Sequence, residues 1–234
     1  MNVLAIVHGD DAGPALFGPL VAEAGHRLDE WSFEWGTPPP RPLESYDAVI
    51  VLGGAMHPDQ DDLHPWLRDE LHWLRGLLGR SAPTLGICLG SELLAQAAGA
   101  HVGALEVAEV GWSMVELTDA GLADPVLSAL PSRFEAMQWH HYGNGLPDGA
   151  VALAENAAAL QAFRLGETCW GVQFHPEVTE PQVGGWIADP HDPPPDPERL
   201  RRETSERIGT WNELGRRLCR SFLAAAERLA PRAG

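Results

Sequence analysis

Thr84-Leu85-Gly86-Ile87-Cys88-Leu89-Gly90-Ser91-Glu92-Leu93-Leu94-Ala95 reads as a short buried strand that meets a helix through a single tight turn. The glycines at 86 and 90 stand two residues either side of Cys88, where any Cβ would collide with neighbouring backbone. The pattern is that of a nucleophile elbow with cysteine as the nucleophile. Sulfur at a helix N-terminus is expected to have a lowered pKa and more thiolate at neutral pH. Cys169 and Cys219 lack such a setting and read as buried structural thiols. Three widely spaced cysteines without a CxxC pair argue against a disulfide framework and against a structural zinc site, so no metal ligands are expected.

Working outward, strands are predicted over 3–7, 48–52 and 84–87, with helices over 14–24, 65–78 and 92–98, Pro65 occupying the first helical position. This alternation is the signature of βα units on a parallel sheet. Past residue 100 come shorter strands near 112–117, 134–138, 151–154, 159–163 and 169–174, which suggest an antiparallel or mixed half. The breaker cluster 189–197 must be an exposed loop, and 200–229 reads as a C-terminal helix. The length suits one domain over 1–234.

Composition narrows the function. With 33 acidic residues against 16 basic ones the formal charge is −17, which disfavours nucleic acid and anionic membrane surfaces. All 16 basic residues are arginine, so a lysine Schiff base or a P-loop lysine is excluded. No apolar stretch reaches the roughly 20 residues needed to cross a bilayer, and no signal peptide is apparent. A cytoplasmic protein is the expectation.

A cysteine nucleophile needs a base. Gly171-Val172-Gln173-Phe174-His175-Pro176-Glu177 supplies one, with a strand delivering His175, Pro176 stiffening the turn and Glu177 close enough to orient the imidazole. His26, His64, His72, His101 and His191 carry no such context and are set aside.

With these two motifs the chain resembles the class I glutamine amidotransferases, most nearly stand-alone proteins similar to the amidotransferase half of GMP synthase. The resemblance runs from the first strand to Glu177. It implies a flavodoxin-like α/β fold, a mixed and mostly parallel sheet flanked by helices, with Cys88, His175 and Glu177 as catalytic residues. It also implies an oxyanion hole from the N–H groups of Gly54 and Leu89, beside Gly53, and no cofactor. Three departures stand out: Glu92 occupies the place of the family's glutamine, Trp139-His140-His141-Tyr142 keeps the histidine of a substrate loop but puts Tyr142 where an acid is usual, and the Pro-rich loop 189–197 has no place in the family pattern. Gly53, Glu92, His140, His141 and Tyr142 are therefore the expected substrate contacts, Glu92 pairing with the substrate ammonium in place of the lost acid.

The expected activity is hydrolysis of a glutamine or γ-glutamyl amide through a Cys88 thioester. Ammonia would pass to an ATP-dependent synthetase on a separate chain, docked through Arg201, Arg202, Arg207, Arg216, Arg217 and Arg220 unless these are merely solvated charges. The alternatives are a γ-glutamyl peptide hydrolase acting alone and a non-catalytic binding module of the same fold.

Overall fold

The computed structural model describes residues 1–229. The first strand, β1 (Asn2–Ile6), leads through α1 (Phe17–Glu23) to β2 (Arg27–Trp31) and then to β3 (Ala48–Val51), α2 (Trp66–Gly79), β4 (Thr84–Ile87) and α3 (Leu89–Ala97). The second half contains β5 (Val102–Leu117), α4 (Asp119–Ala123), β6 (Arg133–Asn144), β7 (Ala150–Glu155), β8 (Leu160–Leu165), β9 (Cys169–Val172), α5 (Glu180–Ala188) and α6 (Pro197–Leu229). All nine strands join one sheet in the order β2-β1-β3-β4-β9-β8-β7-β5-β6.

From β2 to β9 the pairings are parallel, and this half has the flavodoxin-type order; from β9 to β6 they are antiparallel. The expected mixed α/β architecture is what the chain adopts. Parallel strands covered on both faces should read as continuous apolar runs, and β3 does: Ala48 and Ile50 pack with α1 and α6, while Val49 and Val51 pack with α2 and α3. The antiparallel half curls until β6 returns to the end of β9, where the His175 N–H donates to the Met137 carbonyl at 2.9 Å.

Several boundaries differ from the sequence reading. The first helix begins at Phe17 rather than 14, and Pro65 caps α2 from outside it. The predicted 92–98 helix begins at Leu89, immediately after Cys88, and β5 starts ten residues before the expected 112. Strand β2 and helices α4 and α5 were not anticipated, because RLDEW is a polar edge strand and Gly184-Gly185 weakens the helical pattern of α5. The loop after α5 ends where Pro197 opens α6, a first-turn position that needs no N–H. Helix α6 spans about 50 Å and buries one stripe, including Leu200, Ile208, Trp211, Leu218 and Phe222, against the sheet. Its outer arginines meet the chain's own acids, Arg207 with Glu135 at 3.1 Å, Arg216 with Glu213 at 3.4 Å and Arg220 with Glu23 at 3.7 Å. No helix among the described residues is long and apolar enough to cross a membrane.

Candidate active site

Cys88 sits at the carboxyl end of β4, at the N-cap of α3, with φ 51° and ψ −111°. That left-handed backbone is costly for a residue with a Cβ and is retained where the surroundings over-determine it. Here they do. A Cβ on Gly90 would overlap the Val51 carbonyl oxygen, and one on Gly86 would run into Leu94 and the Gly90 carbonyl. The Cys88 N–H is tied to the Val172 carbonyl at 2.9 Å, and its carbonyl accepts the first helical bond from Glu92 N–H at 3.0 Å. The turn is thus as tight as the paired glycines require.

His175 arrives just past β9, fixed on three sides. Its N–H is held by Met137, its carbonyl accepts from Trp211 Nε1 at 2.8 Å, and its Nδ1 donates to Glu177 Oε1 at 2.8 Å. With Nδ1 engaged by Glu177, Nε2 is the nitrogen left over, and it has no hydrogen-bond partner among the described residues. Burial opposes charge on this imidazole, but the Glu177 carboxylate and the Cys88 sulfur hold its pKa well above the ordinary histidine value.

The thiol departs from expectation. Burial pushes the Cys88 pKa up, and His175 draws it back only in part, while Glu92 and Glu177 oppose a second negative charge. Enclosure of the sulfur, with Cys88 only 5% exposed, works against the lowering expected at a helix N-terminus. Sγ donates to the Trp139 carbonyl at 3.6 Å. Burial pushes Cys169 and Cys219 up to about 12, in keeping with their reading as structural thiols.

Around Cys88 lies a cavity of about 370 Å³. It is lined by Gly53, Gly54, Cys88, His175 and Glu177, and by the aromatic walls Trp139 and Trp186. A Cβ on Gly53 would press on His175 Cε1 at 3.0 Å, so this glycine permits the close approach of the two elements. The N–H groups of Gly53, Gly54 and Leu89 have no acceptor among the described residues. A cavity edged by orphan N–H donors beside a helix N-terminus favours developing negative charge.

The expected substrate contacts divide. Gly53 and His141 line the cavity; Glu92, His140 and Tyr142 do not. Strand β6 alternates faces, so Trp139 and His141 point into the cavity and their neighbours away from it. His140 is buried, its Nδ1 donating to the Tyr142 carbonyl at 2.7 Å and its Nε2 lying 3.2 Å from Glu109. Tyr142 donates to Asp59 at 3.0 Å and stacks on His57. Glu92, 3% exposed, neither contacts the cavity nor faces solvent; it accepts from Gln173 Nε2 at 2.9 Å, and burial raises its pKa.

Residues that sequence reasoning missed complete the wall. The 189–197 loop contributes Asp189, His191 and Asp192 to the cavity wall, and Asp11, Ala12 and His57 also line it. Asp192 accepts from Trp139 Nε1 at 2.7 Å and pairs with His141 Nε2 at 3.1 Å, so the loop is pinned to β6. His191, set aside earlier, is therefore at the site. Among the described residues no arginine lines the cavity. Among the described residues no cluster of histidines, cysteines and carboxylates is arranged to hold a metal ion.

Residues 26–186 match the family described as glutamine amidotransferase class-I. A glutamine amidotransferase-like protein of Salmonella typhimurium is 30% identical over 192 residues, 80% of each chain. The γ-glutamyl-L-1-hydroxyisopropylamide hydrolase of a Pseudomonas species is 29% identical over 63% of this chain and 52% of its own length. The GMP synthase of Thermomicrobium roseum is 34% identical over 59% of this chain, which spans only 25% of that protein. A crystal structure of a glutamine amidotransferase from Thermotoga maritima superposes with a TM-score of 0.85 at 29% identity, covering 95% of this chain and 98% of that one.

Proposed function

The chain belongs to the class I glutamine amidotransferases, and from that premise we propose that it hydrolyses a γ-glutamyl amide through a thioester on Cys88. The observation that carries this reading is the strained Cys88 turn, set beside a histidine whose far nitrogen is engaged by Glu177 and facing unpaired N–H groups across one cavity. Cys88 Sγ attacks the γ-carbonyl carbon while its proton passes to His175 Nε2. The oxyanion is received by the Gly54 and Leu89 N–H groups. His175 then protonates the departing nitrogen, and the C–N bond breaks. Water enters, gives a proton to the same histidine and cleaves the thioester, releasing glutamate and restoring the thiol. Glu177 stabilises the imidazolium and keeps Nδ1–H oriented throughout. Each step is carried by this chain's own groups.

Recognition of the substrate ammonium falls to Asp192 and Asp189 rather than to Glu92. These are carboxylates at the cavity wall, and the residue in the family's acidic position, Tyr142, points elsewhere. The Pseudomonas relative's name specifies a γ-glutamyl alkylamide, and a cavity extending from Cys88 to Trp186 and His191 suits a leaving group larger than ammonia. The likeness to GMP synthase supports the second reading, in which ammonia is released to a synthetase on a separate chain. Of the six α6 arginines, Arg201, Arg207, Arg216 and Arg220 meet the chain's own acids, and Arg202 and Arg217 have no such pair among the described residues and are the ones left to such a partner.

The test is a substrate panel of glutamine, γ-glutamyl alkylamides and γ-glutamyl peptides on the isolated chain, with acyl-enzyme trapping and mass spectrometry. Turnover surviving in Cys88→Ala, or acylation on another residue, would refute the hydrolase. Turnover seen only with a co-purifying synthetase present would select the second reading.

A further inference from the structure

His8 follows β1 and is wholly enclosed against the cavity's glycine turn. Its Nδ1 lies 3.1 Å from the carbonyl oxygens of both Leu52 and Gly53. Its Nε2 lies 3.0 Å from both carboxylate oxygens of Glu70, a residue of α2, and both side chains have no exposed surface. Two protons serve these contacts. Carbonyls only accept, so Nδ1 carries one; the second lies between Nε2 and the Glu70 carboxyl, and although burial opposes charge there, Glu70 and the two carbonyls raise the pKa of His8 and so place it on the ring. The ring stacks on Trp66 with centroids 5.7 Å apart, a face that favours a cation. The pair is an imidazolium and a carboxylate that neutralise each other inside the protein.

The consequence lies in the peptide plane. In a trans peptide the C=O and the following N–H point in opposite directions. Holding the Leu52 and Gly53 oxygens toward His8 therefore turns the N–H groups of Gly53 and Gly54 away from it, and neither finds an acceptor among the described residues. Both glycines line the cavity on that far side. A Cβ on Gly54 would lie 2.6 Å from His8 Cβ, so the turn is seated directly on this residue.

We propose that His8, held in its doubly protonated form by Glu70, is the positioning residue that aims the Gly54 N–H group, one of the two oxyanion donors named above, at the reacting carbonyl, and fixes the Gly53 peptide that leads into it. This deepens the hydrolase reading and rests on it. His8 touches no reacting atom. It acts by fixing two peptide orientations and by polarising them, since a donor on a carbonyl strengthens the N–H of the same peptide.

The full chain is compared with His8→Leu, His8→Asn and Glu70→Gln, using glutamine or a γ-glutamyl anilide as substrate and iodoacetamide as a probe of the thiol. Alkylation by iodoacetamide passes through no oxyanion, so it reports the Cys88–His175 pair alone. Loss of one oxyanion donor costs about 100- to 1,000-fold in kcat. His8→Leu should approach that loss, with KM and alkylation rate held within about threefold. His8→Asn, whose amide can still donate to the two carbonyls, should recover at least about tenfold of it. Glu70→Gln should fall between them. If kcat stays within about threefold of the parent in all three variants, or if alkylation falls in step with kcat, the proposal is overturned. If His8→Leu does not fold, ¹⁵N NMR of His8 in the unaltered chain decides: two protonated ring nitrogens at pH 7.5 support the assignment, and a neutral ring overturns it. Cys88→Ala separates the two levels. Activity remaining in it defeats the hydrolase itself, whereas an inactive Cys88→Ala beside a fully active His8→Leu defeats only the role of His8.

Discussion

Glu177→Gln isolates what the carboxylate contributes beyond position. The two side chains are 5% and 3% exposed and 2.8 Å apart, so solvent screens the pair little. Glutamine keeps the shape and can still accept from His175 Nδ1 through its amide oxygen, but it carries no charge. For charges about 4 Å apart at an effective dielectric near 20, Coulomb's law gives about 4 kcal/mol. That corresponds to about a thousandfold change in the population of the thiolate–imidazolium form. The variant should therefore lose about a thousandfold in kcat/KM and alkylate at Cys88 about as much more slowly at pH 7. Part of the alkylation should return at higher pH, where the thiol ionises without help from an imidazolium. Steady-state kinetics, iodoacetamide time courses read by mass spectrometry and a melting curve for fold integrity make the assay. If Glu177→Gln retains kcat/KM and alkylation within about threefold of the parent, the carboxylate does not stabilise the imidazolium and the assignment fails.

At pH 8 a thiol with pKa about 12 is ionised to only about one part in ten thousand, so brief iodoacetamide treatment should label Cys88 and leave Cys169 and Cys219 untouched until the chain unfolds. Asp192→Ala should free the 189–197 loop from Trp139 and His141 and raise KM for substrates with a free ammonium by about tenfold, the loss of one charge-assisted hydrogen bond; an unchanged KM would remove Asp192 from recognition. Glu92→Gln should leave KM within about twofold, since Glu92 bonds Gln173 and does not reach the cavity. For pH, burial opposes charge on His8 and His175, yet their carboxylate partners raise both above the ordinary 6.5. Their stabilisation is complete below that value and is lost as pH rises through the raised folded values; Glu70→Gln should flatten the fall of Tm above neutrality, and an identical slope would contradict the His8–Glu70 pairing.

The parts of this molecule legible in its sequence are those enforced by contact between chain neighbours. Gly86 and Gly90 announce the elbow because sterics at fixed spacing demand them, and Glu177 orients His175 across a single proline. What the sequence does not disclose is direction. Glu92, His140 and Tyr142 occupy expected places along the chain, yet α3 turns Glu92 toward Gln173, His140 meets Glu109 and Tyr142 meets Asp59, all outside the cavity lining. Period-two alternation within β6 was the available signal, once its extent to Asn144 was known. The loop residues Asp189, His191 and Asp192 were hidden for a different reason: they reach the cavity wall only after α5, a placement fixed by tertiary packing alone. His8 and Glu70 are 62 residues apart and meet only in the fold. The position of His8 just past β1, at the carboxyl edge where α/β sheets place ligands, was the one hint.

The clamp on His175 also dictates when a chain can acquire its chemistry during synthesis. Its N–H is fixed by Met137, but its carbonyl waits for Trp211, and a Cβ on Gly215 would overlap the Pro176 carbonyl, so close is the seat of α6 on this turn. Cys88 emerges from the ribosome more than a hundred residues before that last clamp. Until α6 docks, the His175 carbonyl lacks its Trp211 donor, so the last of the three ties that hold the imidazole is made only when this helix has folded onto the sheet. The order of the histidine is thereby tied to the seating of a helix that itself contributes no residue to the cavity wall.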